Sequence, residues 1–128
     1  MKLWLAAGAL NGFIGVALGA FAAHILRDKV ERHALEPRLF EVWEVGVRYQ
    51  MYHALALVAV ALLRSNAPSN LLDAAGWAFL IGIILFSGSL YAMTLSHVRA
   101  LGAITPLGGV AFLAGWVMMG MVAFRLRR

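Results

Sequence analysis

Long apolar runs separated by short polar ones divide the chain into four segments. The first, from Leu3 to about Ile25, carries Asn11 as its one interior amide. The second apolar run, Ala54 to Leu63, is too short to cross a bilayer, because a spanning helix needs roughly 20 residues. Its helix must therefore recruit the polar stretch before it, Glu44-Val45-Gly46-Val47-Arg48-Tyr49-Gln50-Met51-Tyr52-His53. Glu36-Pro37 reads as the start of that helix, since proline fits the first helical position and its missing N–H costs nothing there. Arg64-Ser65-Asn66-Ala67-Pro68-Ser69-Asn70 is a turn by composition, rich in residues that break helices. Ser96 to Arg99 is a second turn, and Thr105-Pro106 falls in the first turns of a last apolar helix. The pattern predicts an all-α integral membrane protein, a single bundle of four transmembrane helices at about 3–26, 37–64, 71–95 and 101–126.

Between the first two helices the character changes. From Arg27 to Arg48 acids and bases interleave, while Leu39, Phe40, Trp43 and Val47 keep helical spacing, so an amphipathic charged segment is expected at the interface. Four crossings put both termini on one side, and the charged segment and the Ser96–Arg99 turn on the other. That topology gathers His24, Glu44, Arg48, Gln50, His53, Tyr91 and Thr105 into a candidate polar cluster on the charged-loop side. The opposite half reads as almost wholly Ala, Leu, Val, Ile, Phe and Met.

Charged groups at such depth are expensive and mark candidate sites. Glu44 and Arg48 are four apart with the acid first, the favourable order for a helical ion pair. One reading is an interfacial pair with Arg48 snorkelling to head groups; the other is a buried pair lining a polar cavity, and either predicts that the two are coupled. Gly8, Gly12, Gly15 and Gly19 supply small-xxx-small spacing for close helix packing. Trp4, Trp43 and Trp77 fall near helix starts, where an aromatic belt is expected. Trp116 falls mid-helix and needs a partner for its N–H.

His24 and His53 raise the question of a metal or a proton relay. No histidine pair has the i, i+4 spacing of a zinc helix motif, so hydrogen-bonding histidines, with neither metal nor cofactor, are the expectation. Ser87 and Ser89 lack a nearby general base and are expected in helix–helix contacts, which argues against an enzyme. Met118, Met119 and Met121 read as adaptable packing.

Composition agrees with the pattern. The 128 residues are 62% hydrophobic and 13% charged, with a mean hydropathy of +0.82, against about 25% charged for a soluble domain. The net charge is +5 and there is no cysteine, which excludes disulfide, zinc-thiolate and iron–sulfur chemistry within the chain. The excess charge sits in Arg125, Arg127 and Arg128, so anionic lipid head groups, not nucleic acid, are the expected partner. Lys2, Arg64 and those three arginines flank one side, while Arg27, Lys29, Arg32, Arg38, Arg48 and Arg99 flank the other. A difference of one base does not set the orientation, and the flank of the first helix leans toward a cytoplasmic charged loop.

Four blocks carry a resemblance to a known family: Leu18-Gly19-Ala20-Phe21-Ala22-Ala23-His24, Gly46 through Leu55, Phe86-Ser87-Gly88-Ser89-Leu90-Tyr91, and Gly102 through Gly109. In that order they resemble the YgdD/YwdK-type family of small uncharacterised inner-membrane proteins, which has a mitochondrial relative in animals. The chain departs from the pattern at Ala22, usually glycine, and at Val45, usually threonine. The resemblance implies a multi-pass protein of the cell inner (plasma) membrane, and it brings no established activity. Two functions remain in view. One is a structural or accessory protein that binds membrane lipids or a larger membrane complex. The alternative is a small transporter or permeation unit working as a homo-oligomer, although polar lining confined to one half does not make a complete path.

Overall fold

A computed structural model describes residues 1–126; Arg127 and Arg128, which contribute to the terminal charge, lie outside the described residues. Four long helices form the fold. Helix α1 covers Lys2–Glu31, α2 Pro37–Asn66 and α3 Asn70–Ser96. Helix α4 covers Thr105–Leu126 and is entered through a 3₁₀ turn at Arg99–Ala103. All four are long and apolar enough to cross a membrane.

The bounds differ from the expected ones at two ends, for local reasons. Helix α1 continues to Glu31, with Asp28 and Arg32, four apart, paired across its last turn at 3.1 Å, which leaves only a short turn before Pro37. The charged segment is thus the end of α1, that turn and the start of α2. Helix α4 begins at Thr105, not near 101, because Pro106 suits a helical first turn. His33 and His97 end the two loop-side helix termini with φ of 60°, the left-handed conformation that closes helices.

Helix α1 packs along α2, α4 packs along α3, and α2 and α3 join the two pairs. The main core lies between α2, α3 and α4 around Leu57, Val60, Leu72, Phe79 and Phe112, with Trp4 of α1 closing its end. A second cluster under the charged loop gathers Ala22, Leu26, Leu35, Leu39 and Trp43. Phe13, Val16, Leu55, Ile84, Leu113 and Phe124 are exposed, as side chains facing hydrocarbon would be.

Trp4 and Trp43, expected in an interfacial belt, are 1% and 3% exposed. Each has an internal acceptor: Trp4 donates to Asp73 Oδ1 at 2.8 Å and Trp43 to the Leu18 carbonyl at 3.0 Å. Once the indole N–H is satisfied, the ring gains more by burial than by sitting at the interface. Trp77 is half-exposed and packs edge-on against Trp4.

Two π segments interrupt the helices, Ala22–Leu26 in α1 and Ile83–Ser87 in α3. Such turns are rare and recur at functional sites. Each borders a recess described below.

Candidate functional site

The polar residues do not form one cluster; helix rotation sorts them into separate groups. The most central is a lock across three helices. Tyr91 of α3 donates its hydroxyl to Gln50 Oε1 at 2.7 Å, and Gln50 Nε2 donates to the Asn11 carbonyl of α1 at 3.1 Å. Gln50 is 3% exposed. In hydrocarbon an unpaired amide is costly, so this residue holds α1 and α3 to α2.

Beside it, Ser87 donates to the Gly46 carbonyl at 2.7 Å. This bond is reached because Gly46 has no side chain: a Cβ there would stand 2.9 Å from Tyr91 Cε1. Thr105 meets Ser89 at 2.6 Å, and Ser89 also donates to the Phe86 carbonyl at 2.8 Å. A hydroxyl has one hydrogen, so Thr105 is the donor to Ser89. Thr105 therefore ties α4 to α3 and takes no part in the lock at Gln50.

His53 goes elsewhere again. Its ring lies flat on Phe112 at 3.5 Å between centroids, with Phe79 and Trp116 against its edges. Nδ1 lies 2.7 Å from the Tyr49 carbonyl, and Trp116 Nε1 approaches Nε2 at 3.1 Å. A carbonyl only accepts and an indole only donates. These two partners thus dictate one state, a neutral imidazole with its proton on Nδ1.

That ring forms the floor of a groove of about 460 Å³ between α2 and α4, lined by Tyr49, His53, Phe86, Pro106, Gly109, Val110, Phe112, Leu113 and Trp116. The groove exists because α4 leans on α3 and reaches α2 through rings. It opens sideways, toward the lipid. From Arg64, near the end of α2, to His53 is about 16 Å of helix at 1.5 Å per residue, roughly half a hydrocarbon core of about 30 Å.

Two expected members stand apart. His24 is exposed: the buried face of α1 runs through Leu18, Ala22 and Leu26, and a residue midway between the latter two points to roughly the opposite side of the helix. Glu44 and Arg48 form no ion pair; among the described residues the pairs are Asp28–Arg32, Arg64–Asp73 and Glu36–Arg99. Arg48 is exposed on the flank of the bundle. Its long stem is free to extend toward head groups. Both residues line a recess of about 240 Å³ with Gly19, Ala22 and Val47.

The glycine stripe is corrected at one position. Cβ atoms at Gly8, Gly15 and Gly19 would meet Val58, Met51 and Val47 of α2, whereas Gly12 has nothing within 4 Å. Gly12 sits at the edge of the packed face.

The far half also holds more than the sequence reading allowed. Arg64 binds Asp73 through two bonds, Nε to Oδ1 at 2.6 Å and Nη2 to Oδ2 at 2.8 Å, and Trp4 donates to the same carboxylate. A bidentate guanidinium is the strong form of this pair. It staples α1, α2 and α3 at the end opposite the charged loop. An acid in the first turn of α3, just across a Pro-containing turn from the last base of α2, was the available signal.

Fold and locks together define a small polytopic membrane protein whose helices are held by buried hydrogen bonds. The chain belongs to the family described as "Protein of unknown function (DUF423)", whose family model matches residues 18–109. It is 44% identical over 125 residues to a UPF0382 membrane protein of Staphylococcus aureus (strain bovine RF122 / ET3-1), with 98% of each chain covered. It is also 44% identical over 126 residues to the UPF0382 membrane protein YwdK of Bacillus subtilis (strain 168), again with 98% of each covered. The family is the one the four sequence blocks resemble. No solved structure matches the chain.

Proposed function

We propose that this chain is a structural or accessory protein of the cell inner membrane that works through bound lipid, with an acyl chain held in the groove between α2 and α4. The observation that carries this reading is the groove itself: lateral, apolar, near mid-membrane, and floored by rings that hydrogen bonds hold in place. Its volume of about 460 Å³ lies within the roughly 300–1,000 Å³ of small-molecule sites. The reading assigns no chemical step, since the Ser87 and Ser89 hydroxyls are spent on Gly46 and Phe86. It also favours lipid binding over permeation. Gln50, Tyr91, Ser87 and Thr105 are engaged between helices, while conduction needs a polar or wetted lining across the membrane.

Phospholipids carrying a photoactivatable group at mid-chain test the reading. Labelling is expected to concentrate between Pro106 and Trp116. Gly109→Phe should abolish it by filling the groove, without loss of folded protein, because a Cβ at Gly109 has nothing within 4 Å. Uniform labelling of every lipid-facing helix would sink the proposal.

A further inference from the structure

On the other flank of α2, we propose that the recess holding Glu44 and Arg48 binds the head group of a zwitterionic aminophospholipid, Arg48 taking the phosphate and Glu44 the ammonium. The two residues line one recess of about 240 Å³, yet neither is in an ion pair or a side-chain hydrogen bond among the described residues. An acid and a base side by side with both heads unspent offer complementary partners to a ligand that carries both charges. A single head group with a phosphate and an amine does so without moving either helix.

Depth fits this occupant. The Arg64–Asp73 pair marks the far end of the bundle. Counting about 20 residues of hydrocarbon core back along α2 puts the near boundary at Glu44, just inside the layer of lipid phosphates. Arg48 lies about one turn deeper and reaches back by snorkelling.

Shape fits as well. The opposing wall is made of Gly19 and Ala22, and the π segment of α1 begins at Ala22. Small side chains on α1 are what leave the recess open. The chemistry also discriminates among lipids. A purely anionic head group would satisfy Arg48 and be repelled by Glu44. A choline head has no N–H to donate to a carboxylate, whereas a primary ammonium has three.

The test is native mass spectrometry of the full chain released from nanodiscs containing equal parts phosphatidylethanolamine, phosphatidylcholine and phosphatidylglycerol. Phosphatidylethanolamine should be retained over phosphatidylcholine by roughly tenfold, the factor that about 1.4 kcal/mol represents. In a Gly109→Phe background, where the groove is filled, Glu44→Gln should remove that preference, Arg48→Gln should remove retention of all three, and Arg48→Lys should restore most of it. Both sites face the flank of the bundle, and a thermal melt of each variant checks that it remains folded. Gly109→Phe should leave the preference intact, which separates this site from the groove. Equal retention of the three lipids, or a preference that survives Glu44→Gln, would overturn the assignment. So would retention of phosphatidylglycerol above the others.

Discussion

Toward α1, helix α2 meets Gly8, Gly15 and Gly19 and closes to backbone contact: a Cβ at Gly8 would stand 2.9 Å from the Ala54 carbonyl. Toward α4, it meets Phe112 and Trp116 through His53, and a groove remains. The same helix is therefore closed along most of one flank, the recess at Gly19 and Ala22 by the charged loop apart, and held off along the other. Small residues let helices approach until dispersion and hydrogen bonds hold them. Rings keep the axes apart and leave volume that something apolar must fill. Glycine on α4 serves α3 instead, where Gly108 and Gly115 pack on Phe86 and Phe79.

The contrast is broken most directly at α4, where two adjacent glycines do opposite things. A Cβ at Gly108 would lie 2.7 Å from Phe86 Cα, and backbone cannot yield as a side chain can. Gly108→Leu should cost at least the upper end of the roughly 1–3 kcal/mol of overpacking, read as lost folded protein in a denaturant titration in detergent. Gly109→Leu should change stability by less than about 0.5 kcal/mol. Equal effects would mean that the α3–α4 seam is not the tight one.

Next in size is the lock through Gln50, which ties α1 and α3 to α2. Gln50→Leu and Tyr91→Phe each strand a polar partner and should each cost about 1–2 kcal/mol. The double variant removes both partners, so its cost should fall short of the sum by at least about 0.5 kcal/mol. Strict additivity would show that the Tyr91–Gln50 bond does not hold α3 to α2.

On the open flank, Trp116→Phe keeps an aromatic ring at this half-exposed position and deletes the donor to His53. The loss should be nearer 0.6 kcal/mol, about the mean for hydrogen bonds between membrane helices, and the melt should show it as a small shift. A larger effect than at Gln50 would reverse the order of the two flanks.

The smallest effects are expected at the edge positions. Gly12→Leu, Glu44→Gln and Arg48→Gln should each stay within about 0.5 kcal/mol, and the last two should be additive because no ion pair joins them. A coupling beyond that in the double-mutant cycle would restore the pair that i, i+4 spacing suggests.

Four helices, the membrane class and the loop-side position of most polar groups followed from the order of residues alone, because hydropathy and turn chemistry are local. Asn11 and Gln50 were visible as amides in apolar surroundings, and Trp116 as an indole in need of an acceptor. Their partners were not. Trp4 and Asp73 are 69 residues apart, and Gln50 and Tyr91 are 41 apart; which faces meet over such distances depends on how each helix is rotated and where it crosses its neighbour. A π segment adds to the uncertainty, since it turns the face of a helix without leaving a mark in the hydrophobic pattern. Spacing on one helix suggested that Glu44 and Arg48 pair. Tertiary structure sent Arg48 to the flank, left His24 facing outward, and set His53 between Phe112 and Trp116 near mid-membrane. Sequence determined that each helix must satisfy its own backbone in lipid. Only packing decided which side chains satisfy one another and which are left for lipid.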